Sequence, residues 1–377
     1  MMVPNFGFVG GVERYAWELS RALKKKGHTL RLIHQGNNGR DPDKYGSAFD
    51  SVVSAADAAC VVDLDVVYVH RAADPDELIL LGATPTMIAV HDHIHTCPRT
   101  HRYLPLTLQP CHRTPGIACA VYGCCVIRDR RVDARLPIRL RNPFSLRGRL
   151  ASLAARGPLV ACSGYVATNL IRAGADPGRV HVVHPVPPED PQPCVPRPTE
   201  QRLLVVGQLL RGKGVDLAIR AVDKLPSDCV LEVAGEGSSR DALETMAQRI
   251  APGRIRFLGY VPPAELHKVY DRASVVLVPA RWPEPFGMTG IEAMRRARPV
   301  VGAAHGGIPE WLAHGRGGLL FSPGSLKSLV SAASRMLEDP HAGKCAHEYV
   351  MARFPYATHV NRIEELLVAL ARGHISG

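Results

Sequence analysis

Short apolar runs alternate with helix-patterned segments along the whole chain, and the alternation breaks once. HTLRLI, DVVYVH (65–70), TMIAVH (86–91), GPLVACS (157–163) and RVHVVH (179–184) come first, followed by the proline-rich PPEDPQPCVPRPTE at 187–200. That stretch holds little regular structure and reads as a linker. RLLVVG, VLEVAG, IRFLGY, SVVLVPA, RPVVGA and GGLLF then restart the pattern. Runs such as Ser274–Val278 are apolar without a break, which suits strands buried on both faces of a parallel sheet. The fold class is therefore α/β, with two Rossmann-like, doubly wound parallel-sheet domains facing a cleft. The expected divisions are 1–186, the linker 187–200, a second domain over 201–355 and a terminal helix over 356–377. In that helix Val360, Ile363, Leu366, Leu367 and Leu370 share one face, free to cross back to the first domain or to pack on the second. A chain of 377 residues exceeds one ordinary core and suits two.

With 46% hydrophobic and 21% charged residues, the composition is that of an ordinary globular protein. No run of about 18 apolar residues is present, so no membrane span is expected. The start, MMVPNFGFVGGVERY, lacks the basic stretch and apolar core of a secretory signal, which points to the cytoplasm. Net charge is +11, and eight of the 22 residues from Arg128 to Arg149 are arginine. A solvated face is the plain explanation. The sharper ones are an anionic acceptor or the anionic inner face of a membrane, held peripherally. No zinc-finger, RNA-recognition or helix-turn-helix signature accompanies the charge, so nucleic acid is not an expected partner.

Three glycine-marked turns follow strand-like runs. GFVGGVERY sets Gly10 and Gly11 before a helix whose Val12, Tyr15, Ala16, Leu19 and Leu23 share a face. VVGQLLRGKGVDLAIRA has Gly207 leaving a strand, Arg211 and Lys213 in the loop and Gly214 opening the next helix. In PARWPEPFGMTGIEAM (279–294), Pro283 and Pro285 end a strand, Gly287 permits a tight turn, and a helix runs from Met288. A helix start aims unpaired N–H groups and the positive end of its dipole at one point, a seat for phosphate. Each turn alone is commonplace in α/β proteins. A cationic loop beside a bare helix start would cradle a diphosphate. Glu284 and Glu292 lie on either side of that turn, and a carboxylate accepts from two vicinal hydroxyls. The alternatives are exposed loop charges for Arg211 and Lys213, and pairing of Glu292 with Arg295 or Arg296.

These stretches resemble, in order, the retaining glycosyltransferases of family 4, which have the GT-B fold. GGVERYAWELSRALKKKGHTL, DVVYVH, IAVHDH, ACSGYVATNL, GQLLRGKGVDLAIRA, AGEGSSRDALE, FLGYVPPAEL and PEPFGMTGIEAMRRARPVVGAAHGGIPE carry the resemblance. The last contains that family's E-x7-E signature. The resemblance implies transfer of a sugar from a UDP- or GDP-sugar to an acceptor hydroxyl with retention, without a metal in the chemistry. It implies that Glu284 contacts donor-sugar hydroxyls, Glu292 binds the ribose, and the backbone of Phe286, Gly287, Met288 and Thr289 holds the diphosphate. Lys213 would neutralise the leaving phosphate, and His91 would hydrogen-bond the donor sugar. The base would lie against backbone near Gly259 to Val261, and Gly10 and Gly11 count with the donor-binding residues. Gln208 stands where the family usually has Arg, so Arg211 would take over that charge. A lipid-linked molecule, a polysaccharide and a small metabolite are the acceptor alternatives.

Two features depart from that pattern. Cys97, Cys111, Cys119, Cys124 and Cys125 fall within an insertion at 93–149, where a structural zinc and free thiols are the alternatives. Only MMVPNF precedes the first glycine loop. A central strand is therefore expected to be missing, with a start set some ten residues late or an impaired protein as the explanation. Two rival functions share the architecture: a nucleotide-sugar epimerase, and an inactive GT-B-fold protein that binds anionic surfaces.

Overall fold

The computed structural model describes residues 1–57, 63–72, 74–107, 109–128, 138–189 and 195–374. The chain divides into two compact units. The first comprises Met1–Thr107, Cys111–Pro185 and Tyr356–Gly377, and the second Leu108–Pro110 and Val186–Pro355. Residues 129–137 of the arginine-rich stretch and 190–194 of the proline-rich one lie outside the described residues.

Seven described strands build the sheet of the first unit: β1 (Met2–Asn5), β2 (Arg31–Gly36), β3 (Ser51–Ser54), β4 (Val67–His70), β5 (Thr86–Val90), β8 (Leu159–Ala161) and β9 (Val180–Val182). Their order is β3-β2-β1-β4-β5-β8-β9, and every pairing is parallel. The strands read as apolar runs because helices cover both faces. Within the insertion, β6 (Val126–Arg128) and β7 (Ile138–Leu140) form a separate antiparallel ribbon.

The expectation of a missing first strand is corrected here. β1 lies inside the sheet, pairing Met2 with Ile33, Val3 with His34 and Asn5 with Gly36 on one side, and Met2 with Val69 on the other. Four residues suffice because Met2 and Val3 are both buried and the neighbouring backbone groups find their ladder partners. The chain then turns at Gly7, whose φ of 104° is open to glycine at little cost. β3 escaped the sequence reading, since SVVS offers only two apolar residues at the edge. The helix Tyr356–Ala371 belongs to this unit: Glu364 accepts from Lys26 and meets His28 Nε2 at 2.7 Å, and Tyr356 Oη donates to Glu18 O at 3.0 Å.

In the second unit six described strands, β10 (Arg202–Val206), β11 (Val230–Ala234), β12 (Ile255–Gly259), β13 (Val275–Val278), β14 (Val300–Ala303) and β15 (Gly318–Phe321), lie in the order β12-β11-β10-β13-β14-β15, all parallel. The winding reverses between β10 and β13. Loops leaving the carboxyl ends of two strands at such a reversal splay apart and open a crevice, the usual ligand position in this architecture.

Arg298 fastens the proline-rich stretch to this unit. Its side chain is fully buried and donates to the carbonyls of Val195, Pro196, Tyr270 and Asp271, with the Asp271 carboxylate 3.8 Å away. Replacing it by leucine strands the carbonyls it holds and the Asp271 carboxylate, so Arg298→Leu is expected to cost about 3 kcal/mol in denaturant unfolding. An unchanged midpoint would contradict this account.

Candidate functional site

Glycines knit together the loops after β10 and β13. A side chain at Gly212 would meet the Trp282 ring at 2.0 Å, and one at Gly214 would meet Pro279 O at 2.0 Å. Gly212 O accepts from Arg281 N at 2.8 Å and Trp282 N at 3.2 Å, and Arg281 grips Asp216 through two nitrogens. The loops therefore move as one piece. A third loop backs them: Gly307 N donates to Glu284 O at 2.8 Å, and Gly306 leaves no room for a Cβ.

The helix Met288–Arg295 starts at Gly287, whose φ of 94° no ordinary residue adopts cheaply. Among the described residues no side chain caps it and no acid sits in its first turn; Gly290 N donates to Gly287 O at 3.2 Å, while Met288 and Thr289 lie too early in the helix for an intrahelical partner. The Trp311 indole fixes its height, donating to Phe286 O at 2.6 Å and lying where a Gly290 side chain would be. Backbone at Phe286 to Thr289 thus presents a positive helix end ready for an anion.

Glu284 and Lys213 meet beside that end. Lys213 Nζ donates to Glu284 Oε1 at 2.7 Å, and Trp282 Nε1 donates to the same oxygen at 2.8 Å. Oε2 takes no hydrogen bond among the described residues. Glu284 is 5% exposed, and burial alone would raise its pKa. The Lys213 charge, the hydrogen bonds from Lys213 and Trp282, and the His305 charge outweigh that and hold it below the usual value. Lys213 keeps 30% of its side chain exposed and lies over the Trp282 ring, so it can reach a second anion. Gly207, Gln208, Lys213, Glu284, Gly287 and Thr289 line a common cavity.

Glu292, one turn into the helix, accepts from Tyr270 Oη at 2.7 Å. Arg295 and Arg296, its alternative partners by spacing, are engaged elsewhere: Arg295 with the carbonyls of Pro187 and Phe354, Arg296 with Asp271 at 2.9 Å. Gln208 is exposed at the cavity wall. Arg211 opens the short 3-10 turn Arg211–Lys213, is exposed, and is not among the cavity's lining residues. Val261 is half-buried in the turn after β12. Sequence reasoning missed Trp282, Tyr270 and His305. Trp282 stands two residues before Glu284 and could have been noticed; Tyr270 comes from another helix and carried no local signal.

In the first unit the structure places Gly10 and Gly11 at the start of the helix Gly11–Lys25. Gly10 N already donates to Glu13 Oε2 at 3.2 Å, and Asn5 holds the other oxygen at 3.1 Å. That helix end carries its own carboxylate, which disfavours a further anion. His91 follows β5 and meets His70, Nε2 to Nδ1, at 3.0 Å. Burial, with the Arg71 charge adding to it and Asp92 opposing, pulls its pKa down to about 4. It is a neutral imidazole at ordinary pH, suited to hydrogen bonding rather than proton abstraction.

The structure gives the zinc alternative no support. Among the described residues no group of three or more His, Cys, Asp or Glu side chains is arranged to hold a metal ion. Cys119 and Cys124 pack with Leu104, and Cys111 and Cys125 lie against them. Burial, with neighbouring thiols including Cys97 adding to it, raises the Cys119 pKa and pushes Cys124 up to about 11, so both are protonated. Packed in this way, they serve as small apolar groups.

Residues 9–186 match the family model described as Glycosyltransferase Family 4, and residues 188–350 the one described as Glycosyl transferases group 1. A glycogen synthase from Mycobacterium tuberculosis is 31% identical over 186 residues, 47% of this chain and 45% of that protein. A D-inositol 3-phosphate glycosyltransferase from Mycobacteroides abscessus is 35% identical over 184 residues, 45% of this chain and 41% of that protein. The chain spans less than half the length of the curated relatives it matches. Among solved structures, Anabaena HepE in complex with UDP and glucose superposes with a TM-score of 0.73 at 18% identity over 98% of both chains. Sucrose-phosphate synthase from Thermosynechococcus elongatus gives 0.71 at 17% identity over 99% of this chain and 98% of that one. Both show the same fold, GT-B.

The Lys213–Glu284 pair generates a pH-dependent prediction. A carboxyl whose folded pKa lies below its ordinary 4.5 contributes stability above that value and loses it as acid protonates the group. Lys213→Met leaves Glu284 buried without its cation and is expected to cost about 2–4 kcal/mol at neutral pH. The difference from the parent should shrink below pH 4.5. A difference that stays constant with pH in denaturant titrations would refute the pairing.

Proposed function

Since the chain belongs to glycosyltransferase family 4, we propose that it moves a glycosyl group from a nucleotide diphosphate sugar, UDP- or GDP-linked, to an acceptor hydroxyl with retention. The observation that carries this reading is the uncapped helix start at Gly287 beside the Lys213–Glu284 pair. The diphosphate takes the N–H groups of Phe286 to Thr289, and Lys213 offsets the charge that grows on the leaving phosphate. Glu284 Oε2, which takes no hydrogen bond among the described residues, accepts from hydroxyls of the donor sugar. Glu292, oriented by Tyr270, accepts from the ribose. Base contacts fall on backbone near Gly259 to Val261, with Gln208 rather than Arg211 at the cavity wall. In the reaction the anomeric carbon–phosphate oxygen bond breaks and the acceptor oxygen bonds to that carbon. The acceptor proton passes to the departing phosphate oxygen, so no strong side-chain base is needed. That suits a neutral His91 and a Glu284 already paired with a cation.

UDP-sugars are the first donors to try, because the HepE structure contains UDP and glucose. The excess of positive charge favours an acceptor that is anionic or carried on an anionic membrane. Lipid-linked, polysaccharide and small-metabolite acceptors all offer the hydroxyl.

A thermal-shift panel of nucleotide sugars tests donor binding, since a tight donor raises the melting temperature by mass action. Glu284→Gln keeps shape and removes charge, and is expected to lower transfer about 10²-fold or more. Proton NMR of the first product should show the donor's anomeric configuration. Donor turnover with no acceptor present would indicate an epimerase. A panel in which no nucleotide sugar shifts the melting temperature would leave the reading without support.

A further inference from the structure

Charge and exposed apolar surface coincide in the insertion of the first unit. Residues 93–149 hold eleven arginines, no lysine and two acids, so this segment carries a net +9 of the chain's +11. Eight of the fifteen large apolar side chains that are exposed among the described residues also fall there. Neither the donor site nor the sheet uses them. Ile117 and Val121 stand one turn apart on the short helix Ile117–Val121, 74% and 76% exposed. In the ribbon, Val126 pairs with Leu140 and Arg128 with Ile138. Alternation puts the Val126, Ile138 and Leu140 side chains on one face, all three apolar.

The ribbon and helix are held in place rather than loose. Arg99 Nη1 donates to Val126 O at 3.0 Å, Arg141 N to Cys125 O at 2.8 Å, and Arg141 Nη1 to Pro98 O at 3.1 Å. Beneath them lies the core of Leu104 and the cysteines. The thiols thereby acquire a purpose: a small apolar floor that holds exposed side chains outward.

Aliphatic side chains of this size, mixed with arginine, are unfavourable in water and suit the boundary between headgroups and acyl chains. Lipid phosphates attract the arginines, and Ile and Leu enter below them. Polynucleotide recognition would use aromatic platforms instead; the exposed surface here is mostly aliphatic, and Tyr122 is covered by the Arg113 guanidinium 4.4 Å from its ring centre. No described helix is long and apolar enough to cross a membrane.

We propose that this insertion docks the protein on an anionic lipid bilayer, with Ile117, Val121, Ile138 and Leu140 as its apolar contacts. The inference rests on the reading that the acceptor is met at an anionic membrane. Its test reads binding alone, so docking and donor binding can fail separately. The full chain is floated with vesicles of phosphatidylglycerol and phosphatidylcholine, or of phosphatidylcholine alone, at low and high salt. Binding is expected to the anionic vesicles, weaker in high salt. Ile138→Ser combined with Leu140→Ser should cut it about tenfold, with melting temperature and nucleotide-sugar stabilisation unchanged. Failure to float with anionic vesicles, equal binding to neutral ones, or full binding by the double variant would each overturn the proposal. So would a single-stranded oligonucleotide that displaces the vesicles and is itself lost in the double variant.

Discussion

One contact organises the second unit's ligand chemistry: the 2.7 Å hydrogen-bonded ion pair from Lys213 to Glu284. Lys213 comes from the loop after β10 and Glu284 from the loop after β13, at the point where the sheet's winding reverses. A carboxylate this deeply buried persists only with a cation and hydrogen-bond donors, and the Trp282 indole completes the set. The same indole packs where Gly212 lacks a side chain, so electrostatics and packing fix the loops together. The result is a preorganised arrangement: a helix start without a cap, a cation with exposed surface, and an acid with one oxygen still to be bonded. Charge developing on a leaving diphosphate would meet groups already in position, with little reorganisation.

Most of this frame was legible in the sequence. Unbroken apolar runs spaced by helical segments fix a parallel sheet, because parallel strands need a covering helix between them. PEPFGMTGIEAM told where the helix starts, since proline ends the strand and glycine opens the turn. What escaped has physical reasons. β1 was discounted because only MMVPNF precedes the glycine loop, yet burial of Met2 and Val3 lets MVPN fill the place. Tyr270 came to Glu292 from another helix, a contact with no local signature. Gly10 was read with the donor-binding residues, and the bond from its N–H to Glu13 was not foreseen. The cysteines left a metal and free thiols as alternatives, because sequence says nothing of their packing against Leu104.

The charge of the chain is not a general property but a local one. Apart from the insertion the protein is nearly neutral, which separates the electrostatics of the donor site from those of the basic segment. At the proposed donor site one lysine and a helix dipole would act at short range on an anion, where salt screens little. Over the insertion exposed arginines such as Arg113, Arg139 and Arg147 act at a surface, where screening is strong. The two should differ in their response to ionic strength.

Calorimetric titration with uridine and guanosine diphosphates and their monophosphates tests the central claim most directly. The helix start and Lys213 together should make the preferred diphosphate bind at least about tenfold tighter than its monophosphate, a difference of roughly 1.4 kcal/mol, and folded Lys213→Met protein should lose most of that preference. Equal affinity for di- and monophosphate, or a preference untouched by the substitution, would contradict the account.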